Sequence, residues 1–152
     1  MTGPGFMAIA LEEAHAAAKR GEVPVGAVVV RNGAVLARDG NRTIEFSDPS
    51  AHAETLVIRS ACEQLRSQRL PGCDLYVTLE PCTMCAAVIS FARIRRLYFG
   101  ASDAKAGAVT SGVRFFEQGT CHHSPEVYSG IAETEASAIL RDFFAARRDA
   151  NS

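Results

Sequence analysis

The stretch Thr78–Cys85, TLEPCTMC, constrains the fold of this chain more than any other. The apolar run that leads into it, CDLYVTLE from Cys73, reads as a strand. Pro81 disfavours helix at Glu80 and suits the first turn of a helix that follows. A strand therefore ends and a helix begins at Cys82, with Cys82 and Cys85 at i and i+3 on one helical face. The positive end of that helix lowers thiol pKa and favours the thiolate form that a metal binds. A second junction of the same kind lies upstream. SDPSAHAE supplies turn residues, then a helix of about four turns starts near His52, with Glu54 two residues on. A fold that joins the two helix starts presents His52, Cys82 and Cys85 to one point. Three protein ligands with a fourth position open is the pattern of catalytic zinc.

Other readings of the two cysteines weigh against this one. A thioredoxin-like redox pair needs a different context, since here the proline precedes the motif and no matching βαβ unit surrounds it. A structural zinc site needs a fourth Cys or His, for which Cys62 and Cys73 are candidates. The His-x-Glu element separates the cases, because a structural site has no use for a carboxylate beside its histidine, whereas hydrolytic zinc needs a proton carrier. The residues favour a catalytic zinc.

The rest of the chain supplies the frame. Met7, Ala10, Leu11, Ala14 and Ala18 form one helical stripe in a segment that ends at Gly21. Two β-branched runs flank Asn32-Gly33, a type I′ hairpin signal. A helix from Cys82 to about Ala92 precedes the strand RRLYFGA. Residues 101–125 are rich in Gly and polar residues, with one short helical turn around Phe115 and Phe116, and a short strand follows near Val127-Tyr128. Ala136, Ile139, Leu140, Phe143 and Phe144 then recur at helical spacing. This order, α-β-β-α-β-α-β-β-α, predicts one sheet covered by helices on both faces, an α/β layered fold. The length of 152 residues suits one domain, residues 1–152. Sixteen Lys and Arg against seventeen Asp and Glu leave no global basic excess, so any nucleic-acid binding must come from a local patch. Five unevenly spaced cysteines fit a reducing cytoplasm better than a disulfide framework. Glu12-Glu13 interrupts the early apolar stretch, against a signal peptide. No apolar run approaches the roughly 18 residues of a membrane span.

HAE followed by PCTMC is the His-x-Glu, Pro-Cys-x-x-Cys signature of zinc-dependent nucleobase and nucleoside deaminases. With EVPVGAVVV, GNR, DPSAHAE, LYVTLEPCTMC, ARIRRLYFGA, DAKAGA and LRDFFAARR, the chain from about Glu22 to Arg148 resembles the bacterial tRNA-specific adenosine deaminases. The resemblance implies a three-layer α/β/α cytidine-deaminase-like fold with a central five-stranded mixed sheet. It implies a homodimer and hydrolytic conversion of adenosine to inosine at the tRNA wobble position. On the matching residues it implies His52, Cys82 and Cys85 as ligands of one Zn²⁺, Glu54 as proton shuttle, and Asn41 in the base pocket. The expected partners are the tRNA anticodon stem-loop and a second copy, with neither membrane nor DNA. The chain departs from the family pattern at His122-His123, where Asn-His is frequent. Two other functions remain open: deamination of a free base such as cytosine or guanine, and a zinc-stabilised RNA-binding subunit without turnover.

Single residues carry smaller expectations. The cluster Arg93, Arg95 and Arg96 reads by default as a solvated face. The resemblance moves Arg147 and Arg148 toward phosphate contact. One of Phe143 and Phe144 packs in the core and the other, Phe144, is the candidate stacking platform. Lys105 reads by default as a surface lysine. Cys62, Cys73 and Cys121 read as inert packing residues.

Overall fold

The computed structural model describes residues 4–151. Helix α1 (Pro4–Lys19) precedes the hairpin β1 (Gly26–Arg31) and β2 (Ala34–Gly40); α2 (Ala53–Leu65), β3 (Cys73–Leu79), α3 (Thr83–Phe91) and β4 (Arg96–Ala101) follow. A single 3₁₀ turn at Phe115–Glu117, the short strand β5 (Glu126–Tyr128) and α4 (Glu133–Asn151) complete the chain. The expected element order is present. Boundaries differ by one or two residues: α1 stops at Lys19, with Gly21 at φ 84° turning the chain, β3 ends at Leu79, α3 runs from Thr83 to Phe91 with Cys82 as its N-cap, and β4 begins at Arg96. Asn32 and Gly33 both adopt positive φ, 51° and 76°, as a type I′ turn requires.

The five strands form one mixed sheet in the order β2-β1-β3-β4-β5. The hairpin and the β1–β3 pair are antiparallel, whereas β3–β4 and β4–β5 are parallel. Side-chain alternation in the central strands divides the core in two. Val29, Leu75, Val77, Leu97 and Phe99 pack with Val57 and Ile58 of α2 and Ile89 of α3. On the other face Val28, Val30 and Tyr76 meet Phe6, Met7 and Ala10 of α1 and Ala136 of α4. This is the three-layer α/β/α architecture that the sequence predicts. Cross-strand register also aligns Tyr76, Tyr98 and Tyr128. Their rings stack at 4.3 Å and 4.9 Å between centroids, and Phe6 leans on Tyr76 at 5.4 Å. Among the described residues no helix is long and apolar enough to cross a membrane.

Candidate metal centre and adjoining cleft

Both helix starts have the form the sequence predicts. His52 is the N-cap of α2, at φ −77° and ψ 155°, and Cys82 is the N-cap of α3, at φ −75° and ψ 176°. Neither side chain caps its own helix. They turn toward each other instead. His52 Nδ1 lies 3.7 Å from Cys82 Sγ and 3.5 Å from Cys85 Sγ. A tetrahedral zinc with the usual Zn–N and Zn–S lengths separates an N and an S ligand by about 3.6 Å. The donor set and its spacing therefore fit one zinc ion. Among the described residues this is the only group of three or more His, Cys, Asp or Glu close enough together to hold a metal. Cys62 and Cys73 do not join it, so a four-ligand structural site is not built. Burial pushes both their thiols up, which keeps them inert.

The electrostatics of the centre follow from competition for protons. A hydrogen bond from Cys85 pulls the Cys82 thiol down to about 4, helped by His52. Cys85 moves far upward in turn, first because its thiol donates to Cys82 and then because it is buried. The bond to Cys82 also raises His52. Two sulfurs and an imidazole that share protons so closely are positioned to share a dication instead. Glu54, 4% exposed, stands in the first turn of α2 and is not one of the three ligands. Burial pushes its carboxyl up to about 7, the range in which a group exchanges protons at neutral pH.

Asn41 takes over the capping that His52 omits. Its Oδ1 accepts a hydrogen bond from Ala53 N at 2.8 Å, which leaves the side-chain NH₂ as donor for a ligand. The loop that begins there is held by Glu22, whose buried carboxylate accepts from Ile44 N, Glu45 N and the Thr43 hydroxyl. Glu22 opens the string EVPVGAVVV that carries part of the resemblance, but nothing in that string assigns it a role.

Beside the centre lies an open cleft of about 980 Å³. One wall is α4, with Leu140, Phe144, Arg147 and Arg148, the other is residues 102–106, and Val23 and Leu79 line the space between. None of the three candidate ligands lines it; its lining residue Ala106 precedes Gly107, which forms a backbone bridge to Cys82. Phe144 is 43% exposed in this cleft, while Phe143 is half-buried. Arg147 and Arg148, paired by the sequence reading, separate here. Arg147 donates to Gly21 O and lies 4.7 Å over the Phe143 ring, so it fastens α4 to the end of α1. Arg148 stays exposed at the cleft.

The cluster Arg93, Arg95 and Arg96 is paired within the fold. Arg95 pairs in two-pronged fashion with Asp74 at 3.0 Å and 2.9 Å, Arg96 with Glu126 at 2.8 Å, and Arg93 donates to Ser90 O. Lys105 is exposed on the cleft wall. In the loop that departs from the family pattern, His123 Nε2 bonds Ile94 O at 2.7 Å and His122 is exposed. Cys121 is half-buried beside Ser90.

Residues 4–101 match the family described as the cytidine and deoxycytidylate deaminase zinc-binding region. The chain is 67% identical over 143 residues to the tRNA-specific adenosine deaminase of Agrobacterium fabrum (strain C58 / ATCC 33970), covering 94% of each. The chain belongs to the tRNA-specific adenosine deaminases. A second member, from Bacillus subtilis (strain 168), is 42% identical over 139 residues, 91% of this chain and 86% of its own. A solved structure from a study of A-to-I editing by tRNA:A34 deaminases at the wobble position superposes with a TM-score of 0.89 at 68% identity. It covers 90% of this chain and 99% of its own. The guanine deaminase of Nitrosomonas europaea shares the fold alone with this deaminase, at a TM-score of 0.83 and 24% identity over 95% of this chain and 85% of its own.

Proposed function

We propose that this deaminase hydrolyses adenosine to inosine at the wobble position of a tRNA anticodon and releases ammonia. The observation that carries the chemistry is the convergence of His52, Cys82 and Cys85 beside a buried, non-ligating Glu54. Zinc held by the three ligands supplies the Lewis acidity that brings the pKa of water from 15.7 to about 7. Glu54 takes a proton from water and delivers it to the ring nitrogen next to C6 as the C–O bond forms. It then carries a proton to the departing amine as the C–N bond breaks, so adenosine and water become inosine and ammonia. Asn41 donates its NH₂ to an acceptor on the base. An anticodon loop is single-stranded already, so its base enters such a pocket without unpairing a duplex.

The cleft supports the RNA half of the reading. Phe144 offers a ring on which a base stacks, and Arg148 a cation for phosphate. The enzyme works in the cytoplasm as a homodimer of single deaminase domains, residues 1–152. Support for the dimer comes from exposed apolar side chains away from the cleft, Phe91 at 70%, Ile44 at 65%, Val113 at 52% and Phe46 at 51%. The test incubates purified protein with an adenosine-34 anticodon stem-loop and, separately, with free cytosine, adenine and guanine. Inosine in the RNA alone is expected. Ammonia from a free base with none from RNA turns the reading to a nucleobase deaminase. Silence on every substrate with zinc bound turns it to a binding subunit.

A further inference from the structure

Glu80 is neither a metal ligand nor a proton carrier, yet it is only 2% exposed. Its carboxylate accepts five hydrogen bonds. Oε1 takes Asp103 N at 2.9 Å and Ser111 Oγ at 3.0 Å. Oε2 takes the backbone N–H groups of Val109 at 3.0 Å, Thr110 at 2.9 Å and Ser111 at 2.9 Å. Every donor lies in residues 103–111, a segment without a helix or a named strand. The same segment is fastened to the backbone of the metal junction, by Ala108 N to Pro81 O at 2.9 Å and by a bridge between Cys82 and Gly107. The approach is so close that a Cβ on Gly107 would collide with the Glu80 carboxyl carbon.

Residues 102–106, which overlap the near half of this segment, form the cleft wall that faces Phe144 and Arg148. Asp103 shapes it further, since its Oδ1 accepts from Lys105 N and Ala106 N. One side chain at the end of β3 thus holds the wall, two residues before the first cysteine ligand. A carboxylate suits the place because it only accepts, at about four lone-pair sites, whereas the amide of glutamine would aim two donors at donors.

We propose that Glu80 is a positioning residue for RNA. It fixes the wall at residues 102–106 relative to the metal centre, so that RNA seated against Phe144 and Arg148 delivers its base to that centre. The proposal rests on the RNA reading of the cleft. Glu80 acts through the segment it holds and contacts no reacting atom.

The test uses the full-length, zinc-loaded protein and the anticodon stem-loop. Glu80→Gln is expected to raise KM by about tenfold, the effect of stranding buried donors, while kcat changes much less and zinc stays at about one per chain. The amides of Asp103, Val109, Thr110 and Ser111 should exchange hydrogen faster, and those of α2 should not. Gly107→Ala pushes the segment off an intact carboxylate and should give the same split between KM and kcat; it carries the test alone if Glu80→Gln does not fold. Ser111→Ala removes one donor of five and should fall between wild type and Glu80→Gln. Faster amide exchange with an unaltered KM would overturn the proposal, as would loss of zinc, which would mean that Glu80 acts on the metal centre. Unchanged variants of an enzyme active on RNA sink this proposal alone. A wild type without turnover on RNA sinks the functional reading and this proposal together.

Discussion

Two buried glutamates flank the metal junction, and their surroundings differ in one respect. Glu54, in the first turn of α2, is raised to about 7, because burial disfavours its charge and few donors answer it. Glu80, at the end of β3, is just as closed to water, and burial alone would raise it; donors from Asp103, Val109, Ser111 and Thr110 bring it below the ordinary carboxylate value. Glu22 repeats the second case with Glu45, Ile44 and Thr43. Burial therefore does not decide whether an acid in this fold is raised toward neutral pH or held below the ordinary carboxylate value. The supply of N–H donors decides it. A related division runs through two neighbouring pairs on α4: Arg147 is tied to the end of α1 where Arg148 is exposed at the cleft, and Phe143 is half-buried where Phe144 is exposed.

The hardest blow to the comparison would come at Glu54. Glu54→Gln should retain about one zinc per chain yet lose about 10²–10⁴ in rate, the range for a removed general acid–base, whereas Cys82→Ala should lose both metal and turnover. Single-turnover deamination alongside elemental analysis reads the two together. A Glu54→Gln protein without zinc would place that carboxylate on the metal and erase its contrast with Glu80.

Glu22 sharpens the other side, away from the ligands. Its folded pKa lies below the ordinary 4.5, so its stabilisation is complete above that value and is lost as pH falls through the lower folded one. Glu22→Gln should lower unfolding free energy at neutral pH by about 1–3 kcal/mol. The deficit should shrink as acidification passes below the ordinary value of 4.5 and through the lower folded one. Denaturant titrations across that range would show it, and a deficit independent of pH would mean the charge is not what holds the loop.

The aromatic pair should divide by readout. Phe144→Ala should weaken stem-loop binding by about 1–3 kcal/mol, the worth of one stacked base, with little change in melting temperature. Phe143→Ala should show the reverse, and equal effects of the two on binding would merge them. The arginine pair carries the smallest effect. Arg148→Ala should flatten the log–log salt dependence of RNA binding by roughly 0.7 for one single-strand phosphate contact. Arg147→Ala should leave that slope alone and cost about 1 kcal/mol of stability as α4 loses its tie to Gly21 and the Phe143 ring. A shrunken slope in Arg147→Ala would show that its contact to Gly21 yields to RNA.

How much of this is legible in the sequence depends on how local its cause is. Pro81, the Cys82–Cys85 spacing and the His52–Glu54 spacing act within one helical turn, so the two helix starts and their ligands can be read from residue types. Asn41 is reachable only through family resemblance, because its partner is a backbone N–H twelve residues on. Glu22 and Glu80 stand inside quoted strings, but what they hold is not legible there, since backbone N–H groups some twenty to thirty residues away leave no mark in composition. Arg147 and Arg148 differ by about 100° around α4, a difference without meaning until α4 is laid against α1.

The stack of Tyr76, Tyr98 and Tyr128 has an optical consequence. The chain contains three tyrosines and no tryptophan, so every strong near-ultraviolet chromophore it owns sits in that one column across β3, β4 and β5. Ring planes 2° and 19° from parallel couple their transitions, which gives intrinsic fluorescence and near-ultraviolet circular dichroism a single source. Those signals report whether the outer edge of the sheet is docked. They pass over the metal junction on the opposite face, where an emissive purine analogue in the RNA would serve as an independent colour.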